Sequence, residues 1–266
     1  MSFFGKTFVF NNISCEAYDL MLYDIGGGDD EENEFASPVS IEEETVGRRW
    51  RPFFYGGRHE GKLTFDLTFG VNVRRLDRND FLDRYELSEV AAWLTGHDRY
   101  LYLDIEQPDM RFVRYKAIIT DLAVVTYSQI PWALKATVEC DSPYAYMYPQ
   151  VETYNVSGNA TISIFNRSSL NDFYFPTLTL DQSGGTFSLQ NSTDNNRTFQ
   201  FTGLPAGTGL ITVDNENCLI SCANGLNLYP YFNNHFFRLV KGLNTISVSG
   251  TGTLTITCEF PINTGG

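Results

Sequence analysis

The chain has 266 residues, of which 15% are aromatic, and it carries a formal net charge of −13. This acidity excludes a general electrostatic attraction to nucleic acids or to anionic membranes, and no run approaches the roughly 18 apolar residues of a membrane-spanning helix. The first residues also lack the basic segment and long apolar run that are typical of a signal peptide, so we expect synthesis in the cytoplasm.

The first half of the chain predicts β-strands. Apolar and polar residues alternate through residues 61–71, where Leu63, Phe65, Leu67 and Phe69 fall on one face. A period of two residues is typical of a strand with one buried face. The same reasoning predicts an opening strand and three later ones, at residues 6–12, 99–106, 111–127 and 132–141.

One helix is predicted, over residues 88–96. Ser88 is a suitable N-cap, Glu89 suits the first turn and Gly96 can end the helix, although the helix may also start earlier, near Asn79. Helical spacing puts three apolar residues on one side, where we expect them to cover a sheet: Val90, Trp93 and Leu94.

The density of charge falls sharply after about residue 150. Residues 151–266 hold only four Lys and Arg and seven Asp and Glu, and are rich instead in Asn, Ser, Thr and Gly. Pro143 and Pro149 restrict the chain just before this change. We therefore predict two domains, at residues 1–145 and 146–266, with the boundary between residues 141 and 154.

The second domain predicts about seven or eight short strands at roughly ten-residue spacing, which is typical of an antiparallel β-sandwich. Its last segment, residues 236–260, alternates apolar and hydroxyl residues on either side of Gly250, Thr251 and Gly252. Such a pattern around a Gly-containing loop predicts a hairpin. The predicted fold class is thus mainly β, with two sandwich domains and one small helix in the first.

No set of residues indicates catalysis, a metal or a cofactor. The histidines (His59, His97 and His235) lie far apart, and no nucleotide-binding or nucleophile motif is present. The cysteines are odd in number, so we expect reduced, buried thiols: Cys15, Cys140, Cys218, Cys222 and Cys258. Cys218, Cys222 and His235 would offer zinc three loosely spaced ligands, where a structural site needs four. We predict that the protein is not an enzyme.

Two charged segments remain open to interpretation. Residues 26–34 form the most acidic run, which is either a calcium-binding loop or, as we favour, a solvated loop, because consecutive carboxylates repel one another. Residues 47–61 combine arginines with aromatic residues, a composition enriched at protein interfaces. Arg48, Arg49, Trp50 and Arg51 are our candidate partner interface; alternatively, the arginines pair with Glu42, Glu43 and Glu44.

Four segments in order resemble the distal tail proteins of long-tailed siphophages, the hub component of the baseplate. The first is "FVFNN" with "YDLMLYDI", and the second is "RRWRPFFYGG" with "LTFDLTFGV". The third is "AAWLTGHDRYLYLDIEQPDMRFVRYKAII", whose domain ends in "VECDSPYAYM". The fourth runs from "VDNENCLISCANGLNLY" to "GLNTISVSGTGTLTITCEF". Together they span most of the chain.

The resemblance implies a structural virion protein without enzymatic activity or cofactor. Its first domain would form a hexameric ring at the tail tip, joining the tail tube protein to tail-tip and tail-associated proteins, with receptor-binding proteins as further partners. Its second domain would be a galectin-like β-sandwich. Assembly would take place in the cytoplasm of the bacterial host, and neither nucleic acid nor membrane would be bound.

Two other functions stay open at this point. The first is a carbohydrate-binding adhesion protein that recognises the host surface, in which aromatic residues of the second domain line a sugar groove: Tyr229, Tyr231, Phe232, Phe236 and Phe237. Those phenylalanines could equally pack in the core, and the second domain lacks the Trp on which galectins rely. The second is an enzyme such as a glycosidase, although nothing marks a pair of carboxylates.

Overall fold

The alternating apolar residues of the sequence form strands throughout the computed structural model, which describes residues 6–23, 39–59, 61–72, 81–108 and 110–264. The chain divides into two units, Met1–Tyr146 with Asn263–Gly266, and Met147–Ile262. The prediction of a mainly β fold with one α-helix is confirmed within the described residues. The acidic run at residues 26–34 lies outside them.

The first unit is built on a mostly antiparallel sheet with the strand order β2-β1-β7-β8-β9-β6-β3, and β10 pairs with β8. Residues at alternate positions of β6, such as Phe65, Leu67 and Phe69, are buried as the alternation predicted. The strands are β1 (Phe8–Phe10), β2 (Ile13–Ser14), β3 (Leu20–Leu22), β4 (Val39–Glu44), β5 (Phe53–His59), β6 (Thr64–Val71), β7 (Leu101–Ile105), β8 (Val113–Tyr127), β9 (Ile130–Cys140) and β10 (Ala145–Met147).

The helix α1 spans Arg84–Leu94 and begins at a different residue from the one predicted. Asp83 is the N-cap: its Oδ1 accepts hydrogen bonds from the backbone N–H groups of Tyr85 and Glu86, at 2.8 Å each. Glu86 returns a bond, accepting from the Asp83 N–H at 2.9 Å, which completes a capping box. The prediction of Ser88 as the cap was wrong, because this stronger signal lies one turn earlier.

Trp93 fixes the helix to the sheet. Val90, Trp93 and Leu94 are buried, as predicted. The Trp93 ring stacks on Phe8 at 5.6 Å and on Tyr18 at 4.9 Å, and its Nε1–H donates to the Phe10 carbonyl at 3.1 Å. Because the apolar faces of the indole are packed there and its nitrogen is hydrogen-bonded, Trp93 sets the position of α1 over β1.

The second unit is an antiparallel sheet in the order β14-β13-β17-β12-β15-β16, with β11 paired along the other edge of β17. Its seven strands are β11 (Gln150–Asn166), β12 (Thr177–Gln182), β13 (Gly185–Asn191), β14 (Arg197–Leu204), β15 (Gly209–Asp214), β16 (Leu219–Cys222) and β17 (Gly242–Cys258). The short strand β18 (Pro261–Ile262) follows β17 but is not part of this sheet.

The prediction of a C-terminal hairpin was wrong, because the two segments expected to pair with each other form one 17-residue strand, β17. The whole strand pairs with β11, from Gly242 opposite Asn166 to Cys258 opposite Gln150. Its other edge pairs first with β13, at residues 246–249, and then with β12, at residues 253–257. The predicted alternation itself is confirmed, since Ile246, Val248, Leu254 and Ile256 are all buried.

Glycines let β17 change partners without a turn. A Cβ at Gly250 would lie 2.5 Å from the Phe187 ring and 3.0 Å from the Thr186 carbonyl oxygen. A Cβ at Gly252 would lie 2.5 Å from the Asp181 carbonyl oxygen, and its φ of +152° also disfavours a side chain. The end of β12 and the start of β13 can therefore pass close against β17 only where β17 has no side chains.

Both halves of this bent sheet enclose one core. Buried residues of β13, β14 and the first part of β17, such as Leu189 and Phe201, belong to the same apolar cluster as Leu180 and Ile211 of β12 and β15. A flat sheet could not bring these faces together, so the sheet folds over on itself as in a β-sandwich.

All five cysteines are free, but only three of them are buried. Burial raises the pKa of Cys140 and of Cys258 to about 12, and it also raises the pKa of Cys15. Cys218 is exposed and Cys222 is half-buried, so the prediction of buried thiols was wrong for this pair. Cys218 lies in the turn before β16, and Cys222 ends that edge strand, where it packs against the core with only part of its surface.

The close approach at Gly252 makes a prediction about stability. Gly252→Ala adds both backbone strain and a clash with β12, so we expect it to lower the free energy of unfolding by about 3 kcal/mol. Gly158→Ala is the matched control, because Gly158 lies on β11 with φ +93° and open space around its Cβ position. It should cost about 1–2 kcal/mol, from strain alone. Urea titrations of both variants measure the difference, and equal losses would contradict the clash.

The capping box makes a second prediction. Asp83→Ala removes the acceptor for two helix N–H groups, and we expect it to cost about 1 kcal/mol. Ser88→Ala should be neutral or slightly stabilising, because Ser88 is exposed inside the helix and Ala has the higher helix propensity. Thermal unfolding of the two variants checks this, and a larger loss for Ser88→Ala would restore Ser88 as the cap.

Candidate partner interface

A two-stranded arm carries the predicted interface residues. Strands β4 and β5 pair antiparallel, from Val39 opposite His59 to Glu44 opposite Phe53. Within the described residues these two strands form a sheet of their own, separate from the larger sheet of the first unit. Residues 45–52 connect them at one end of the arm, so Arg48, Arg49, Trp50 and Arg51 all lie in this connection.

The arm exposes an unusual amount of apolar surface. Trp50 is 81% exposed and Phe54 is 67% exposed, although residues of these types are mostly covered in folded proteins. Further exposed apolar side chains continue along both strands and into the connection: Val39, Ile41, Val46, Phe53 and Tyr55. Sequence reasoning identified Trp50 and the arginines but missed Val39 and Ile41, because two aliphatic residues in one strand are an ordinary core signal.

The arginines of the arm lie against aromatic rings. The Arg49 guanidinium is 3.8 Å from the centre of the Phe53 ring, and that of Arg51 is 4.2 Å from the Trp50 ring. Among the described residues, no carboxylate lies within ion-pair distance of Arg48, Arg49 or Arg51. The alternative prediction, in which these arginines pair with Glu42, Glu43 and Glu44, was therefore wrong.

The acidic residues of β4 have a different role. Glu44 Oε2 accepts a hydrogen bond of 3.2 Å from the Tyr55 hydroxyl on the opposite strand, while Glu42 and Glu43 are exposed. The arm thus presents three carboxylates along β4 and three guanidinium groups in its connection, with aromatic rings between them. Arginine and aromatic residues in this combination are typical of energetically important interface positions.

The described residues contain no arrangement typical of a catalytic or metal site. No group of three or more His, Cys, Asp and Glu that could hold a metal ion occurs among them. His97 has a structural role, since its Nε2 lies 2.8 Å from the Trp93 carbonyl oxygen and its ring packs on Phe10. Burial raises the pKa of Asp141, whose two oxygens accept from the Tyr146 hydroxyl at 3.0 Å, an arrangement that ties the end of β9 to β10.

The aromatic residues considered for a sugar groove are used in packing. Phe232 and Phe237 are buried, and Tyr231 and Phe236 pack against the core of the second unit. The Tyr229 hydroxyl donates to the Cys218 carbonyl at 3.0 Å and accepts from the Ile220 N–H at 3.2 Å, which fixes it beside β16. Phe232 and Phe237 are therefore not available to line a sugar groove.

No helix in the described parts of the chain combines the length and the apolar composition needed to cross a membrane.

Comparisons with known proteins agree with the fold. The solved structure of the Dit protein of SPP1, described as a paradigm of the hub adsorption apparatus in phages that infect Gram-positive bacteria, is similar with a TM-score of 0.66. That likeness covers 96% of this chain and 98% of the other, at 12% sequence identity. No curated protein matches the sequence.

Two family descriptions cover almost the whole sequence. A phage tail protein N-terminal domain matches residues 3–142, and a phage tail C-terminal domain matches residues 144–258. The first match alone covers more than half of the 266 residues. Since the two domains follow one another in the expected order, the chain belongs to the phage tail proteins of this family.

Proposed function

We propose that this virion protein is the hub of the tail tip, where six copies form a ring that joins the tail tube to the tip and adsorption proteins. The observation that carries the proposal is the extent of the fold match, which includes nearly all of this chain and nearly all of a phage hub protein. A match confined to one domain would support only a shared module.

The exposed arm supports an assembly role. An isolated two-stranded hairpin is only marginally stable in water, and exposed aromatic patches on soluble proteins mark interaction sites. Burying Trp50 and Phe54 against a neighbour would contribute about 1.5–3 kcal/mol for each side chain. Glutamates on β4 and arginines in the connection also give the arm both signs of charge, so one copy can pair with the next around a ring.

The proposed partners follow from this position in the tail. They are further copies of the chain, the tail tube protein, the tail-tip or tail-associated protein, and receptor-binding proteins. The role is structural and non-enzymatic, with assembly in the cytoplasm of the host cell. Candidate interface residues Arg48, Arg49, Trp50 and Arg51 belong to the contacts within the ring or with the tube.

Charge reversal in the arm tests this role. We expect Arg48→Glu with Arg51→Glu to weaken assembly with the tail partners at least about tenfold, because it opposes the partner's charges and adds repulsion to Glu42 and Glu43. The free protein should keep its fold, since these side chains are exposed. Sedimentation of reconstituted tail complexes measures assembly, and circular dichroism with thermal unfolding measures the fold.

The matched control is Arg99→Glu with Arg111→Glu, which makes the same charge change at exposed positions of the first unit outside the arm. It should assemble normally. Normal assembly of the arm variant would remove the arm from the interface, and loss of the fold would show that its arginines are structural.

A further inference from the structure

A polar groove opens on the second unit. It has a volume of about 420 Å³ and lies between the β13–β14 turn and the irregular segment that precedes β17. Asp194, Asn195, Asn196 and Arg197 come from the turn, and His235 and Arg238 come from the segment. Its size falls within the range of small-ligand sites.

The groove concentrates the positive charge of a domain that has little. Residues 151–266 contain four basic residues, and two of them, Arg197 and Arg238, line this groove together with the domain's histidine. Asp194 is the one carboxylate of the lining. A random distribution of so few basic residues over a β-sandwich would not be expected to place two in one cavity.

Asp194 is already neutralised by Arg238. The Arg238 Nε donates to Asp194 Oδ2 at 2.7 Å, and Arg238 Nη2 donates to Asp194 Oδ1 at 3.1 Å. Such bidentate pairs are among the stronger hydrogen-bonded ion pairs in proteins. The Asp194 side chain is only 4% exposed, and the other face of the Arg238 guanidinium lies 3.4 Å from the centre of the Phe173 ring. This pair therefore forms one wall of the groove and leaves the charge of Arg197 without a carboxylate partner in the lining.

Arg197 and His235 are the remaining basic side chains of the lining, and both can donate to a ligand. Arg197 uses its Nε to donate to the Phe236 carbonyl at 3.3 Å, so within the described residues its two terminal amino groups stay available. The exposed His235 ring has no hydrogen-bond partner in the described part of the chain. The amides of Asn195 and Asn196 flank them on a turn whose left-handed conformations, with φ of 50° and 58°, point to a defined backbone.

Buried amides hold the two walls together. The Asn191 Nδ2 donates to the Arg238 carbonyl at 3.2 Å and to Asn244 Oδ1 at 2.9 Å, and its own Oδ1 accepts from the Thr193 N–H. Both asparagines are fully buried. Because such networks fix the turn and the segment before any ligand arrives, the groove's donors are preorganised.

We propose that this groove binds an anionic, hydroxyl-bearing chain molecule, such as an acidic saccharide or a polyol phosphate. The Arg197 guanidinium would hold the carboxylate or phosphate through its two free amino groups, with His235 as a second donor. Asn195 and Asn196 supply amides that donate to and accept from hydroxyl groups. The rest of the protein's negative charge is largely screened beyond about 8 Å at physiological salt. This site is independent of the ring-forming role.

The test is isothermal titration of the full chain, at physiological salt, with four probes. They are an oligomer of glycerol phosphate, an oligogalacturonate, a maltooligosaccharide of similar length and inorganic phosphate. We expect one or both acidic chains to bind. Tighter binding of the glycerol phosphate oligomer would identify the recognised group as a phosphate, and tighter binding of the oligogalacturonate would identify it as a carboxylate. The neutral oligosaccharide and inorganic phosphate should bind at least tenfold more weakly.

Variants locate the site. Arg197→Gln with His235→Ala should weaken binding at least tenfold, and Arg167→Gln with Lys241→Gln, the domain's other two basic residues, should leave it unchanged. Asn195→Asp is a second groove variant that keeps Arg197 and His235 and tolerates the left-handed backbone, yet adds a carboxylate, so it should also weaken binding at least tenfold.

Four outcomes would overturn the proposal. The first is that neither acidic chain binds, and the second is that the neutral oligosaccharide binds as tightly as the acidic chains. The third is that inorganic phosphate binds as tightly as they do, which would indicate a simple anion site. The fourth is that the groove variants and the control variant lose the same affinity. Should Arg197→Gln with His235→Ala lower the melting temperature, Asn195→Asp decides alone, and full binding by that variant would contradict the site.

Discussion

The second unit depends on one long pair of strands that must bend without a break. Strands β11 and β17 stay in register for 17 residues, and every other strand of the sheet is attached, directly or through a neighbour, to one half or the other of β17. The two halves can face each other across one core because Gly250 and Gly252 leave room for the end of β12 and the start of β13. Backbone geometry at two positions thus determines where the core forms.

The groove is a consequence of the same arrangement. Because β13 and β14 belong to the first half, their turn lies beside the irregular segment that leads into β17, and Asp194 meets Arg238 there. Buried asparagines bond to the backbone of that segment, and Leu239 exchanges two backbone hydrogen bonds with Tyr174. These bonds fix a segment that is mostly irregular, as a preorganised surface requires.

In the first unit, the arm leaves exposed the kind of apolar surface that the main body buries. Trp93 closes the main body, since it satisfies both the helix face and the Phe10 carbonyl. Strands β4 and β5 instead leave Trp50, Phe54 and Ile41 uncovered, so the arm holds apolar area that the described part of the chain does not bury. This uncovered apolar area is the reason for proposing that the arm contacts a neighbouring subunit.

Local patterns predicted the strands well, because a strand with one buried face alternates apolar and polar residues, and this alternation can be seen in the sequence itself. They also predicted the buried face of α1, but its start was missed because Asp83 and Glu86 form a cap that looks, in sequence, like ordinary surface charge. Gly250 and Gly252 were misinterpreted for a deeper reason. A hairpin turn and a bent strand have the same local sequence, and only the distant partner β11 distinguishes them.

The candidate sites were harder to predict from the sequence than the strands, because they depend on contacts between residues that are far apart in the chain. Arg48, Arg49, Trp50 and Arg51 stood out by composition, yet their exposure and the lack of pairing with the β4 glutamates became visible only in the structure. The groove had no sequence signal, since Asp194 and Arg238 are 44 residues apart and neither lies in a motif. Bonds between residues so far apart are tertiary properties, which periodicity does not encode.

Electron cryo-microscopy of purified tails can show whether this protein forms the hub ring of the tail tip, because the two-unit fold can be located in the density. We expect six copies in one ring at the distal end of the tube, with each β4–β5 arm in contact with a neighbouring subunit. Density for this fold along the tube, at the head-proximal end or in a ring whose arms stay exposed to solvent would contradict it.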